Sequence, residues 1–209
     1  MIISLLFSDP LFFLTWLLAI IYGITVHEFS HVFAARLQGD DTGERMGRLT
    51  LNPLAHLEPF GFLMLLFVGF GWGRPAPYNP HNLKYRKWGE VLVALAGPLS
   101  NLISVFVFVM LSRALGPVLG PDNLLTQFFG FLVLINIILL AFNLIPIPPL
   151  DGSKVLFAVL PGRYYHLRTQ LERNGPWILL MLIIADNFLG INIFGRLFAV
   201  FFRLAGLIM

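Results

Sequence analysis

Residues 11–37, LFFLTWLLAIIYGITVHEFSHVFAARL, decide how the rest of the chain is read. From Leu11 to Val26 no side chain is charged, and Thr15 and Tyr22 are no more than mildly polar. As a helix, a run of this length crosses the hydrocarbon core of a bilayer, for which about 20 residues suffice. It leads directly into His27-Glu28-Phe29-Ser30-His31. Two histidines four apart lie on one helical face, about 6 Å along the axis and roughly 40° around it. Their imidazoles can share one tetrahedral zinc ion, and the glutamate between them can act as general base on water activated by that metal. A fortuitous histidine pair in a helical core is the competing explanation. Ionisable groups at membrane depth are costly, however, and a cluster kept there points to function.

Composition sets the class. The chain has 209 residues, of which 57% are hydrophobic and 12% charged, with 21 phenylalanines, and its mean hydropathy is +0.81. A water-soluble domain of this size cannot hide so much apolar surface, so lipid must be the solvent for most of it. The expectation is an all-α polytopic membrane protein, a single membrane-embedded domain over residues 1–209 with no appended soluble domain. The net charge of +3 is small and the basic residues are scattered, which excludes a nucleic-acid surface. They read instead as loop charges that set orientation. With no cysteine there is neither a disulfide nor a thiolate metal site. Zinc must then be held by His, Asp or Glu, the ligands of catalytic sites. The first ten residues contain no Lys or Arg, and no A-x-A pattern follows, so the N-terminal apolar segment is expected to be retained.

Apolar stretches fall at 11–37, 60–72, 88–111, 125–145 and 177–209. The first, third and fourth are long enough to span. The second is short and punctuated by Gly61, Gly69, Gly71 and Gly73, which reads as a re-entrant piece. The last is interrupted at Asp186-Asn187 and Gly190, and is expected to break into a spanning helix and a terminal segment. On that segment Arg196 and Arg203 share a face, as suits an interfacial helix. The reading totals about four spanning helices, a re-entrant segment and a short β-like element, the last from apolar–polar alternation over residues 47–56. Open strand edges there offer a place for an extended substrate to add as a strand. Arg36, Arg45, Arg48, Arg74, Lys84, Arg86, Lys87, Lys154, Arg163, Arg168 and Arg173 occupy one set of loops. Residues 112–124 hold only Arg113. If 60–72 does not cross, every basic loop lies on one side, and that side is the cytoplasm.

Catalytic zinc takes a third protein ligand. The candidates are Asp151, His56, Glu58, Asp40, Asp41, Glu44, His81, Asp186 and His166. Asp151 closes the stretch Asn143-Leu-Ile-Pro-Ile-Pro-Pro-Leu-Asp-Gly152, where Pro146, Pro148 and Pro149 stop the preceding helix at the depth of the histidines. It could equally cap the following helix. His56, a neutral ligand in a short loop near the same side, is the rival. Asn136 reads as interhelical hydrogen bonding.

His27-Glu28-Phe29-Ser30-His31 in a membrane helix, with the distant Asn143…Pro146…Pro149-Leu150-Asp151-Gly152, resembles the site-2 protease family of intramembrane zinc metalloproteases. Gly47-Arg48-Leu49-Thr50-Leu51-Asn52-Pro53-Leu54-Ala55-His56, Phe70-Gly71-Trp72-Gly73-Arg74-Pro75 and Ala96-Gly97-Pro98-Leu99-Ser100-Asn101 fit its small prokaryotic members. Glu58, where Asp is expected, and Ser153-Lys154 after Asp-Gly depart from the pattern outside the ligand set. The resemblance implies that His27, His31 and Asp151 bind Zn²⁺, that Glu28 is the catalytic base, and that Asn101 holds a substrate carbonyl or the oxyanion. Asn101 as plain interhelical glue is the alternative. The implied activity is cleavage of a transmembrane segment of a membrane-protein substrate, inside the lipid bilayer of the cell membrane and near its cytoplasmic face. A divalent-metal transporter is the other class, but such proteins show repeated halves and none is visible. A catalytically silent substrate-binding homologue is disfavoured by the intact Glu28.

Overall fold

The structure, a computed structural model, describes residues 5–68, 71–85, 88–120 and 123–206. Gly69, Phe70, Arg86 and Lys87, used in the readings above, lie outside the described residues. Three helices are long and apolar enough to cross a membrane: α2 (Pro10–Leu37), α5 (Gly89–Leu119) and α6 (Leu124–Asn143). Local chemistry sets their ends. The Asp9 side chain caps α2 by accepting from Phe12 N–H, and Pro10 occupies the first turn, where its missing N–H is not needed. Gly39, at φ 98°, turns the chain out of α2. Asn123 caps α6 through Leu125 N–H, and Pro146, Pro148 and Pro149 prevent it from continuing.

These helices form one bundle in which each packs on the other two. Ala19 and Ile20 of α2 meet Phe129, Leu132 and Ile135 of α6. Val105 and Val109 of α5 meet Val133 and Ile137 of α6. Large apolar side chains also cover the outside, among them Leu11, Leu14 and Leu18 on α2 and Leu99, Ile103, Val107 and Met110 on α5. An apolar surface of that extent is at home against lipid rather than water. The all-α membrane architecture expected from composition is therefore the one observed.

The remaining helices are α1 (Leu5–Ser8), α3 (Thr42–Arg45), α4 (Pro59–Val68), α7 (Gly152–Val159), α8 (Tyr165–Leu189) and α9 (Ile193–Gly206). With 10 residues, α4 is about 15 Å long, half the hydrocarbon thickness. The chain after it doubles back: Trp72 lies against Gly61 in the first turn of α4, and Gly73 forms an antiparallel bridge with Leu57, just before it. That bridge is the whole of the β structure among the described residues, and residues 47–56 form no strand. Asn52 and Pro53 explain why. Pro53 has no N–H to give a ladder, and the Asn52 side chain accepts from Leu54 N–H, winding Pro53–Ala55 into a 3₁₀ turn. The C-terminal apolar run divides at Gly190 (φ 64°) into α8 and α9. Arg168, Glu172, Arg173 and Asp186 all lie on α8, which keeps it out of the set apolar enough to span. The Asp186 carboxylate accepts from Ile193 N–H at the start of α9, and α9 then packs on α6 through Phe194 against Phe142.

Candidate metal centre

His27 and His31 stand one turn apart on α2, their rings 4.6 Å apart and nearly perpendicular at 85°. Their Nε2 atoms are 3.0 Å apart. Asp151, from the loop between α6 and α7, places Oδ2 3.2 Å from His27 Nε2 and 3.3 Å from His31 Nε2. Ligand atoms of a tetrahedral zinc with bonds of about 2.0–2.1 Å lie about 3.3–3.4 Å from one another, close to this triangle. Proton positions agree. His31 Nδ1–H donates to the Val93 carbonyl at 2.7 Å, and His27 Nδ1–H to Asn101 Oδ1 at 2.6 Å. With the ring protons committed there, both Nε2 lone pairs converge on a carboxylate oxygen that accepts no hydrogen bond. Three buried acceptors without a donor fit a cation. Among the described residues these three make the one group of His, Asp and Glu able to hold a metal.

A single face of α5 forms the opposite wall. Val93, Gly97 and Asn101 recur every four residues and so line up along that helix. Val93 orients His31, Asn101 orients His27, and Gly97 makes room between them. A Cβ at Gly97 would sit 2.5 Å from His31 Nε2 and 2.6 Å from His27 Cε1. Asp151 has helical backbone (φ −60°, ψ −36°), but its side chain makes no capping hydrogen bond. It does not play the cap role open to it in the sequence. Gly152 lies against the Leu144 carbonyl and is 2.7 Å, measured from an added Cβ, from Ile145 O. Only glycine lets the turn close this tightly and carry Asp151 to α2.

Glu28 follows His27 by about 100° around the helix and faces a different wall. A Cβ at Gly73 would be 3.7 Å from Glu28 Oε1 and 3.0 Å from Ile24 Cγ2. Glu28 Oε2 is buried with no hydrogen-bond partner in the protein. This wall consists of loop backbone tied together by side chains. Arg74 N–H donates to His56 O at 2.7 Å. Arg48 donates through Nη2 to Arg74 O at 2.6 Å and through Nη1 to Pro75 O at 3.3 Å. Burial lowers the pKa of Arg48; the Glu28 carboxylate opposes that shift and Arg74 adds to it.

The other sequence candidates go elsewhere. His56 is fully buried, with Nε2 bonded to Thr50 O at 2.7 Å rather than turned to the histidine pair. Asp40 accepts from Thr42 Oγ1, Asn79 N–H and Asn82 Nδ2, pinning the end of α2 to the loop at residues 79–82. Burial raises its pKa, but those hydrogen bonds outweigh it and hold the carboxyl below its ordinary value. Asp41 pairs with Arg45, Glu44 with Arg36, and Glu58 accepts from Gly61 N–H. His81 and His166 are exposed. Burial, reinforced by Glu90 and Asp151, pushes the Tyr78 phenol up to about 12. Asn101, expected at the substrate, is 0% exposed, and its amide is engaged by His27 on one side and by Asn136 on the other. Gly97 and Gly73 enter the sequence reading within the stretches that carry the resemblance, with no role of their own at the site, and the Val93 carbonyl has no sequence signature. The available signal was a Gly-Pro pair inside a long helix, unfavourable there unless something approaches closely.

The family model described as peptidase family M50 matches residues 15–121 and 120–185. YwhC of Bacillus subtilis, named as a candidate zinc metalloprotease, is 40% identical over 172 residues, 80% of this chain and 78% of YwhC. MJ0611 of Methanocaldococcus jannaschii, named likewise, is 32% identical over 160 residues, 74% of this chain and 77% of that protein. Rip2 of Mycobacterium tuberculosis, also so named, is 33% identical over 155 residues, 72% of this chain but 56% of Rip2. No solved structure matches the chain.

Proposed function

The chain belongs to peptidase family M50 and is a zinc-dependent protease with several membrane helices, and on that premise we propose that it cuts its substrates within the bilayer, using His27, His31 and Asp151 to hold zinc and Glu28 as general base. The observation that carries this reading is the triangle of three donor atoms, 3.0–3.3 Å on an edge, with an unpartnered carboxylate beside it. Zinc bound there supplies Lewis acidity toward the scissile carbonyl and makes water a better nucleophile at neutral pH. Glu28 takes the proton that the attacking water gives up and returns it to the departing amide nitrogen. Its two oxygens suit the task, since neither is locked into an ion pair.

The depth of the site supports intramembrane cleavage. His27 and His31 lie on a spanning helix, and a helical substrate has to unwind locally before its carbonyls can reach them. The doubled-back chain around α4 supports a re-entrant segment that does not cross. In that topology the loops after α2, before α5 and after α6 share the cytoplasmic side with the site. Single cysteines at His81 and Arg163 should then be labelled from the cytoplasm and one at Val118 from outside, and outside labelling at His81 would rule that arrangement out. The activity is tested by reconstituting the protein with a panel of single-span proteins. Cleavage should stop with a chelator, return with zinc and map inside the span. Cuts confined to soluble regions would refute intramembrane hydrolysis.

A further inference from the structure

We propose that Asn101 and Asn136 form a hydrogen-bonded chain that fixes the tautomer and angle of His27, making both asparagines positioning residues for the metal centre. The inference rests on the reading of His27 as a zinc ligand. It starts from a fixed polarity. The Leu132 carbonyl can only accept, so Asn136 must turn Nδ2 toward it, at 2.7 Å. Asn136 Oδ1 therefore faces Asn101, which answers with Nδ2 at 2.8 Å. The same Nδ2 lies 3.4 Å from the Gly23 carbonyl, a second acceptor that forbids turning the amide over. Asn101 Oδ1 is then left for His27 Nδ1–H, at 2.6 Å. Reversal of Asn101 would set oxygen against two oxygens and move the imidazole proton to Nε2, where it blocks the metal.

Three helices converge to make this chain: α2 through Gly23 and His27, α5 through Asn101, and α6 through Leu132 and Asn136. Gly23 also sets the distance: a Cβ there would meet Leu139 Cδ1 at 2.8 Å and approach Asn136 Oδ1 to 3.8 Å. Both asparagines are 0% exposed, and in so dry a setting hydrogen bonds strongly polarise one another. Interhelical glue alone would not need the chain to end on a ligand nitrogen. The two histidines also differ in kind. His31 is oriented by a backbone carbonyl that no substitution removes, whereas His27 depends on side chains.

Zinc affinity by chelator competition, the visible spectrum of the Co²⁺ form and the melting temperature are measured on purified proteins. Asn101→Ala should bind zinc about 10- to 100-fold more weakly, the range for losing a group that orients a ligand, with a shifted Co²⁺ spectrum. Asn136→Ala should move both readouts the same way by less. The double variant should match Asn101→Ala alone, because the two act in series. Asn101→Asp keeps an acceptor on His27 Nδ1 but sets its second oxygen against Asn136 Oδ1 and the Gly23 carbonyl, so its affinity should fall between wild type and Asn101→Ala. Wild-type affinity in Asn101→Ala with only a lowered melting temperature, or equal losses in the Ala and Asp variants, would return both residues to packing. Asp151→Ala, run in parallel, separates the two layers of the argument. If it too binds zinc normally, the ligand assignment falls; if it loses zinc while Asn101→Ala does not, only the relay falls.

Discussion

The two walls of the site are built differently. On the helical wall the polar groups that reach the histidines are spent: Val93 O, Asn101 and Asn136 all have partners inside the bundle. On the loop wall, buried polar atoms lack partners in the protein, namely Glu28 Oε2, Arg48 Nε and His56 Nδ1. An unmet buried polar atom costs about 1–3 kcal/mol, so one wall is settled and the other retains capacity for further hydrogen bonds. The rigid side suits holding an ion. The unsatisfied side, which Glu28 of α2 faces as the proposed general base, suits handling water and an extended peptide.

This contrast breaks most visibly at the proposed ligands. Asp151→Ala should lower zinc affinity by more than about 100-fold, beyond the range for groups that merely orient a ligand. His56→Ala, on the loop wall, should leave metal content intact, and atomic-emission analysis of both proteins checks the pair. Glycines give the next largest effect. Gly97→Ala places a Cβ 2.5–2.6 Å from both imidazoles, so zinc affinity and activity should fall together. Gly73→Ala meets its nearest atom at 3.0 Å; it should keep zinc and lose about tenfold in turnover through a small displacement of Glu28. Equal zinc loss in the two variants would erase the distinction between the walls.

The smallest effect lies at the edge of the loop wall. Asp40→Ala should cost about 1–3 kcal/mol of stability through its lost hydrogen bonds. Because folding holds the Asp40 pKa low, the ionised side chain stabilises the folded state fully above the ordinary carboxylate pKa near 3.9. That advantage is lost as pH falls through this value and on past the lower folded one. Melting curves of the two proteins should therefore differ at pH 7 and converge in acid. A gap that widened on acidification would contradict this role.

How much of this could be read in the sequence depended on distance along the chain. His27, Glu28 and His31 were legible because helical spacing alone puts them together. The prolines before Asp151 located the turn and its depth, but ligand, cap and His56 remained open until the resemblance favoured one. The resemblance points to Asn101, but its contact with His27 and the shared face with Val93 and Gly97 depend on which turn of α5 docks against α2, and no local pattern encodes that register. Residues 47–56 alternate like a strand, yet extended loop backbone alternates too, and Pro53 argues against a ladder there. Of the two interruptions expected in the C-terminal run, Gly190 divides it, whereas Asp186-Asn187 lies inside α8, whose charges keep it out of the set apolar enough to span.

Glu28 is where the central claim is most exposed. Glu28→Gln preserves shape and leaves His27, His31 and Asp151 untouched, but it cannot accept a proton. Zinc stoichiometry and single-turnover cleavage of a reconstituted single-span substrate should be measured on the same preparation of this variant. Full zinc occupancy with cleavage reduced about 10²- to 10⁴-fold, the usual contribution of a general base, is the predicted result. Near wild-type cleavage by the zinc-loaded variant would contradict the account.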